Sequence, residues 1–205
     1  MAASLRFGPL SRSTAHLCVD MQNLFAEDTP WHTPWMERVR PVVAELARWA
    51  AHSTVFTRFI PPRDPHEVAG TWQRYFERWR DLTRRQIDPR LLELVPELQA
   101  LVPPAVVFDK QVYSPFHDGR LAHHLGRRGI DGLVISGTET DVCVLAAVLA
   151  AVDHGYRVVV AVDAVCSSTD ETHDALVKLY SDRFGQQIEL ADTGAILSHW
   201  PSPAA

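Results

Sequence analysis

Leu133-Val134-Ile135-Ser136-Gly137-Thr138-Glu139-Thr140-Asp141-Val142-Cys143-Val144 reads as a buried strand, a glycine turn and the first turn of an Ala/Leu/Val-rich helix. A thiol at the start of a helix meets the positive end of the helix dipole, which lowers its pKa and favours the reactive thiolate. Structural cysteines more often sit in the middle of apolar elements, where burial raises the pKa. Cys143 is therefore the candidate nucleophile of the chain.

The elements on either side extend this reading. The strand at 133–136, the Cys143 helix to about His154 and a strand at 157–162 make a βαβ unit. Upstream, Ala15-His16-Leu17-Cys18-Val19 is a short apolar run ending at Asp20. A helical pattern over about 35–52 places Val39, Val42, Val43, Leu46 and Trp49 at three- and four-residue spacings. Thr54-Val55-Phe56-Thr57 is a second strand candidate, and Val106-Val107-Phe108, running into Asp109 and Lys110, is a third. A short helix over 118–128 stops at Gly129, another spans about 171–183, and Ile188-Glu189-Leu190 adds a last strand. Apolar strands alternating with helices predict an α/β fold, a three-layer αβα sandwich with a mostly parallel, Rossmann-like central sheet. No repeat or linker divides residues 1–205, so one domain is expected. Residues 60–85 differ from the rest. Pro61, Pro62 and Pro65 lead into an aromatic- and Arg-rich stretch that suggests a lid or a subunit contact.

Composition narrows the class. With 46% hydrophobic and 22% charged residues, the chain has the make-up of an ordinary globular protein. A net charge of -5 argues against nucleic acid or an anionic membrane as partner. No apolar run approaches the ~20 residues needed to span a bilayer. Met1-Ala2-Ala3-Ser4-Leu5-Arg6-Phe7-Gly8-Pro9 lacks the apolar stretch of a secretory leader. The 3 cysteines are scattered, with no CxxC pair, which makes a reducing cytoplasm the expected location.

In open parallel sheets, sites gather beyond the carboxyl ends of the strands. Asp20 ends the first strand, Lys110 follows the third and Cys143 follows the fourth, so all three face one edge of the sheet. Taken singly, Asp20 reads as a cap or turn residue and Lys110 as a solvated lysine among 20 Lys+Arg. Together they suggest a division of labour: Cys143 attacks, Asp20 takes its proton and Lys110 offsets the negative charge.

Three stretches carry a family resemblance: Val19-Asp20-Met21-Gln22-Asn23-Leu24-Phe25, then Asp109-Lys110 leading to Tyr113-Ser114-Pro115-Phe116, and Ser136 through Val144 followed by Gly155-Tyr156-Arg157-Val158 and Asp163-Ala164. With these, residues 14–199 resemble the isochorismatase-like cysteine hydrolases, which include nicotinamidases and N-carbamoylsarcosine amidases. The resemblance implies that Asp20, Lys110 and Cys143 form the catalytic triad. It also implies a cis peptide between Thr138 and Glu139, turning the Glu139 N–H toward the same point as the Cys143 N–H to make an oxyanion hole. The Glu139 side chain is expected to be incidental to that role. The implied reaction is hydrolysis of a C–N bond in a small amide, carbamoyl or ureido compound through a thioester on Cys143. The partner is then a small molecule, with no nucleic acid and no membrane, and the assembly a homodimer or homotetramer.

Nicotinamidases of this family bind a metal through an Asp-x-His pair and a later histidine. Here Phe59 and Pro61 stand at the matching positions, while Asp64 and His66 come five residues late among prolines. No metal and no cofactor are expected. Phe25, Trp72, Tyr113 and Phe116 are the expected pocket-lining residues, giving an apolar site for a compact neutral amide. His117 lies close enough in sequence to Lys110 to be a candidate for reaching the pocket. His123 and His124 read as helix-surface residues and His154 as a helix C-terminal one. Cys18 reads as a core residue, and Cys166, following the strand at 157–162, is the rival thiol with an expected packing role. Two other functions fit the same fold: an isochorismatase-type vinyl-ether hydrolase, which needs the aspartate and no thiol, and a non-catalytic binding protein.

Overall fold

The computed structural model describes residues 5–201; the first four residues of the stretch read for a leader lie outside them. Six strands form one sheet: β1 (Thr14–Val19), β2 (Thr54–Phe59), β3 (Val106–Lys110), β4 (Gly132–Thr138), β5 (Arg157–Cys166) and β6 (Ile188–Ala191). Their spatial order is β3-β2-β1-β4-β5-β6 and every pairing is parallel. The chain builds the sheet outward from β1 in one direction, then returns to β1 and builds in the other. The order reverses between β1 and β4, which is where a doubly wound sheet opens a crevice at its carboxyl edge.

Helices cover both faces. On one lie α2 (Met36–Trp49) and α8 (Thr193–Ser198), with α1 (Asn23–Ala26), α3 (Thr71–Arg78) and α4 (Pro96–Gln99) toward one end of the same layer. On the other lie α5 (Arg120–Arg127), α6 (Leu145–Asp153) and α7 (Asp170–Arg183). Each face has its own apolar core. Val39, Val43, Leu46 and Ile196 pack beside Cys18, Phe56 and Val134 on the first, while Leu121, Leu125, Val148 and Tyr180 pack beside Leu17, Ile135 and Val160 on the second. The period of two along the strands sends alternate side chains to opposite layers, which is why central strands covered on both sides are apolar throughout. β1 and β4 are wholly buried, whereas the edge strand β3 is half-exposed.

Two boundaries differ from the sequence expectation, each for a local reason. Gly137 lies inside β4 rather than in a turn, paired with Val19 at φ 114. A Cβ there would stand 2.1 Å from the Val19 carbonyl oxygen, so no other residue lets the two backbones approach this closely. β5 runs past Val162 to Cys166, because an irregularity shifts its register against β4 between Ile135 and Gly137. Cys166 therefore ends the strand instead of following it, and is fully buried.

Near the centre, His16 bridges three strands. Its Nε2 lies 2.8 Å from Ser136 Oγ on β4 and its Nδ1 3.3 Å from Thr54 Oγ1 on β2. Burial pushes its pKa down to about 3, so it sits in the core as neutral imidazole. Among the described residues, no helix is long and apolar enough to cross a membrane.

Candidate active site

Asp20 leaves β1 with φ 50, in the left-handed region that a non-glycine residue seldom adopts. Its N–H donates to the Thr57 carbonyl and hydroxyl, both at 3.2 Å, which ties the turn to β2. The carboxylate is fully buried and accepts on both oxygens, from the Thr57 hydroxyl at 2.7 Å and from Lys110 Nζ at 2.6 Å. Lys110, the last residue of β3, is 7% exposed. Its ammonium also donates to the Val112 carbonyl at 3.2 Å and to Cys143 Sγ at 3.4 Å, and stands 5.1 Å from the centre of the Phe59 ring. Asp20, Lys110 and Cys143, separated by up to 123 positions in sequence, thus share one buried cluster in which the ammonium touches both partners. Thr57, which the sequence reading passed over as a strand residue, is the fourth member.

Cys143 sits in a wide turn, Thr140–Val144, that leads into α6. Burial pushes its thiol pKa up; Lys110 opposes this and Asp20 adds to it. That corrects the expectation of a thiolate favoured by the helix N-terminus: at 7% exposure, loss of water outweighs the dipole. For Lys110, burial pulls downward, but Asp20 and Cys143 leave its pKa raised, so the ammonium stays charged. The pocket at rest holds a Lys110–Asp20 ion pair beside a neutral thiol.

The Thr138–Glu139 peptide is cis. The N–H groups of Val142 and Val144 donate to the Glu139 carbonyl at 3.1 and 3.0 Å, and the Cys143 N–H between them takes no part. The turn is braced by the Thr140 hydroxyl against His173 Nδ1 at 2.9 Å, by Ser167 on Asp141, and by the Thr138 hydroxyl, which donates to the Cys166 carbonyl at 3.3 Å.

The space above Cys143 is about 40 Å³, room for roughly three waters. Phe25, Trp31, Phe59, Tyr75 and Tyr113 wall it, with Glu139 and Val142 lining it on the nucleophile's side. Two of the expected lining residues, Phe25 and Tyr113, are in place. Trp72 is not in the wall; it stands behind it, 4.7 Å from the Tyr113 ring and 5.5 Å from Tyr75, because the helical period of α3 brings Tyr75 forward instead. Phe116 turns to the opposite layer and packs on His154 and Tyr156. Trp31 was missed because it lies in an irregular loop. Its ring contacts Phe25, Phe59, Tyr75, Phe76 and Trp79 at 5.8–6.5 Å between centroids. Residues 60–85 are in this way part of the fold, with Phe76 fully buried and Tyr75 in the pocket wall.

The remaining candidates fall elsewhere. His117 lines a separate depression of about 360 Å³ on the far side of Lys110. His124 is half-buried against Phe108 at 5.3 Å rather than on the open helix surface, and burial pulls its pKa down. Burial pushes the thiol of Cys166 up to about 12, and raises that of Cys18 as well.

The donor set does not suit the metal of the nicotinamidases. Phe59 offers a ring to the Lys110 ammonium and Pro61 is buried, so neither matching position carries a ligand atom. Asp64 accepts from the His66 N–H at 3.1 Å and pairs with Arg85 at 3.1 Å, while His66 Nδ1 lies 3.3 Å from Gln73 Nε2. Among the described residues, no group of three His, Cys, Asp or Glu side chains is placed to hold a metal ion.

The Isochorismatase domain family model matches residues 14–192. The chain belongs to the isochorismatase family. A maleamate amidohydrolase of Pseudomonas putida is 27% identical, covering 92% of this chain and 88% of the relative. Nicotinamidase 3 of Arabidopsis thaliana is 28% identical over 82% of this chain and 80% of its own. A cysteine hydrolase of Pseudomonas syringae pv. phaseolicola 1448A has the same fold, with a TM-score of 0.81 over 97% of this chain and 98% of its own at 22% identity. This isochorismatase-family protein is a hydrolase, consistent with a non-peptide C–N bond as its target, as the names of these two curated relatives indicate.

Proposed function

We propose that the chain hydrolyses the C–N bond of a small amide, carbamoyl or ureido compound through a thioester on Cys143, without a metal. The observation that carries this reading is the buried Lys110 ammonium, 2.6 Å from the Asp20 carboxylate and 3.4 Å from the sulfur of Cys143, which lines an aromatic-walled pocket. The maleamate amidohydrolase and the nicotinamidase among the curated relatives are named for primary amides, which supports the same bond type here.

The neutral thiol fixes the order of events. A carbonyl entering the pocket displaces the last water, and Asp20 takes the thiol proton as sulfur attacks carbon. Lys110 holds the carboxyl group and the sulfur in place and offsets the charge passing between them. The oxyanion is held by the N–H groups of Glu139 and Cys143, each worth about 3–4 kcal/mol in the barrier. Collapse breaks the C–N bond, with the Asp20 proton going to the leaving nitrogen. Water then gives a proton to Asp20 and attacks the thioester, and the departing thiolate recovers that proton, which returns the resting site.

The test is incubation with a panel of small primary amides and ureides, read by intact-protein mass. The expected result is an acyl adduct on Cys143 and a loss of turnover in Cys143→Ala of at least ~10³-fold. Full turnover in Cys143→Ala would overturn the assignment.

A further inference from the structure

The pocket contains one charged group that the hydrolytic chemistry does not use. The Glu139 backbone has a place in the reaction, but Glu139 also lines the space above Cys143 together with Phe25, Trp31, Phe59, Tyr75 and Tyr113, and its carboxyl is near enough to act on the Tyr75 and Tyr113 hydroxyls. The other two charges of the site neutralise each other, since Lys110 is bound to Asp20 at 2.6 Å. Glu139 forms no salt bridge with a basic side chain among the described residues, and the charged groups felt most strongly by its carboxyl, Asp141 and Asp20, are both negative. Burial raises its pKa and hydrogen bonding to Ser168 works the other way. The Tyr75 and Tyr113 hydroxyls both feel Glu139 and Cys143, which places them on the same small space. A carboxylate left without a cation, inside a box of aromatic faces, is complementary to a positive or N–H-rich group: the rings attract cations through their faces, and the carboxylate accepts hydrogen bonds. A second carboxylate in that space would meet like charge with no arginine or lysine free to offset it.

We infer that the Glu139 side chain is a specificity-determining residue, selecting amides whose far end carries a positive charge or N–H donors and disfavouring those that end in a carboxylate. This rests on the hydrolase reading for its substrate and deepens it, since it separates this chain from an enzyme named for maleamate, an anionic amide. The space is small, about 40 Å³, so compact amides suit it, and glycinamide, propionamide and malonamate make a set that is cationic, neutral and anionic.

Two measurements separate the inference from the reading beneath it. Binding of the three amides to Cys143→Ala, followed by thermal shift and calorimetry, is expected to rank glycinamide first and malonamate last, with a spread of about 100-fold. In the Cys143→Ala/Glu139→Gln double variant, which keeps size and backbone, the spread should shrink at least ~10-fold. Acylation of Cys143 in the wild type is followed by mass. If the binding order holds but no amide acylates Cys143, the hydrolase reading fails and the selection stands. If all three acylate without regard to charge, or the binding order is flat or unchanged by Glu139→Gln, the selection is overturned and the hydrolase reading stands.

Discussion

Lys110 fixes the chemical state of the site, because its ammonium touches both Asp20 and Cys143. With the thiol pKa raised by burial and lowered by Lys110, the reactive thiolate is a minority form near neutral pH. The expected consequence is a Cys143 alkylation rate by iodoacetamide that climbs about tenfold per pH unit between pH 7 and 9 without a plateau. Lys110→Met should slow it further at each pH, since the cation that favours the thiolate is gone. Peptide mapping of the labelled site at each pH checks this, and a plateau below pH 8 would show a preformed thiolate instead. That Asp20, Lys110 and Cys143 gather at one edge of the sheet was legible in the sequence, because each closes or follows an apolar strand. Their ionisation was not legible, because it depends on burial by distant residues such as Phe59 and Tyr75. Thr57 was hidden for a related reason: in sequence it is one more β-branched strand residue, and only the β1–β2 register points its hydroxyl at Asp20.

At the scale of elements, β1 and β4 carry the site at their carboxyl ends, and β1 holds a titratable group, His16, against β4. His16 is neutral in the folded chain, with its pKa at about 3 against 6.5 when unfolded. Between those values the unfolded chain binds a proton that the folded chain refuses, so stability falls as pH drops below 6.5. The loss is about 1.4 kcal/mol per pH unit from this one group. Urea unfolding between pH 7.5 and 5 should show that slope reduced by one proton's worth in His16→Gln, whereas equal slopes would mean that His16 is not held neutral. Strand and helix positions followed from periodicity and apolar runs, within a few residues for β1, β3, α2 and α7. The end of β5 did not, since Asp163 inside its irregular stretch reads as a stop, and its carboxylate instead accepts from the Thr193 N–H and hydroxyl, both at 2.9 Å. The aromatic wall resisted for the same kind of reason: sequence marks where aromatic residues cluster, but the pitch of α3 and the path of the Trp31 loop decide which rings face Cys143.

For the whole molecule, the reversal of strand order brings the two halves of the chain together over one small space. Phe25, Trp31, Phe59 and Tyr75 come from the β1–β3 part of the chain and Tyr113 from just after it, while Glu139, Val142 and Cys143 come from the part that begins with β4. A ligand held there bridges both, so its binding should stabilise the fold as a unit. In Cys143→Ala, an unreacted substrate amide at 100 times its Kd should add about 2.7 kcal/mol, or roughly 5–10 °C in Tm for a chain of this size. Differential scanning calorimetry would read this directly, and an early local transition moving alone would contradict it. The three cysteines share one further property at this scale: Cys18, Cys143 and Cys166 are all buried, with thiol pKa values raised. Peroxide and disulfide reagents act on exposed thiolates, and the resting fold presents none. Cys143 still lines the pocket, but Cys18 and Cys166 are fully buried, so their oxidation is governed by how often the fold breathes, and its rate becomes a clock for that opening.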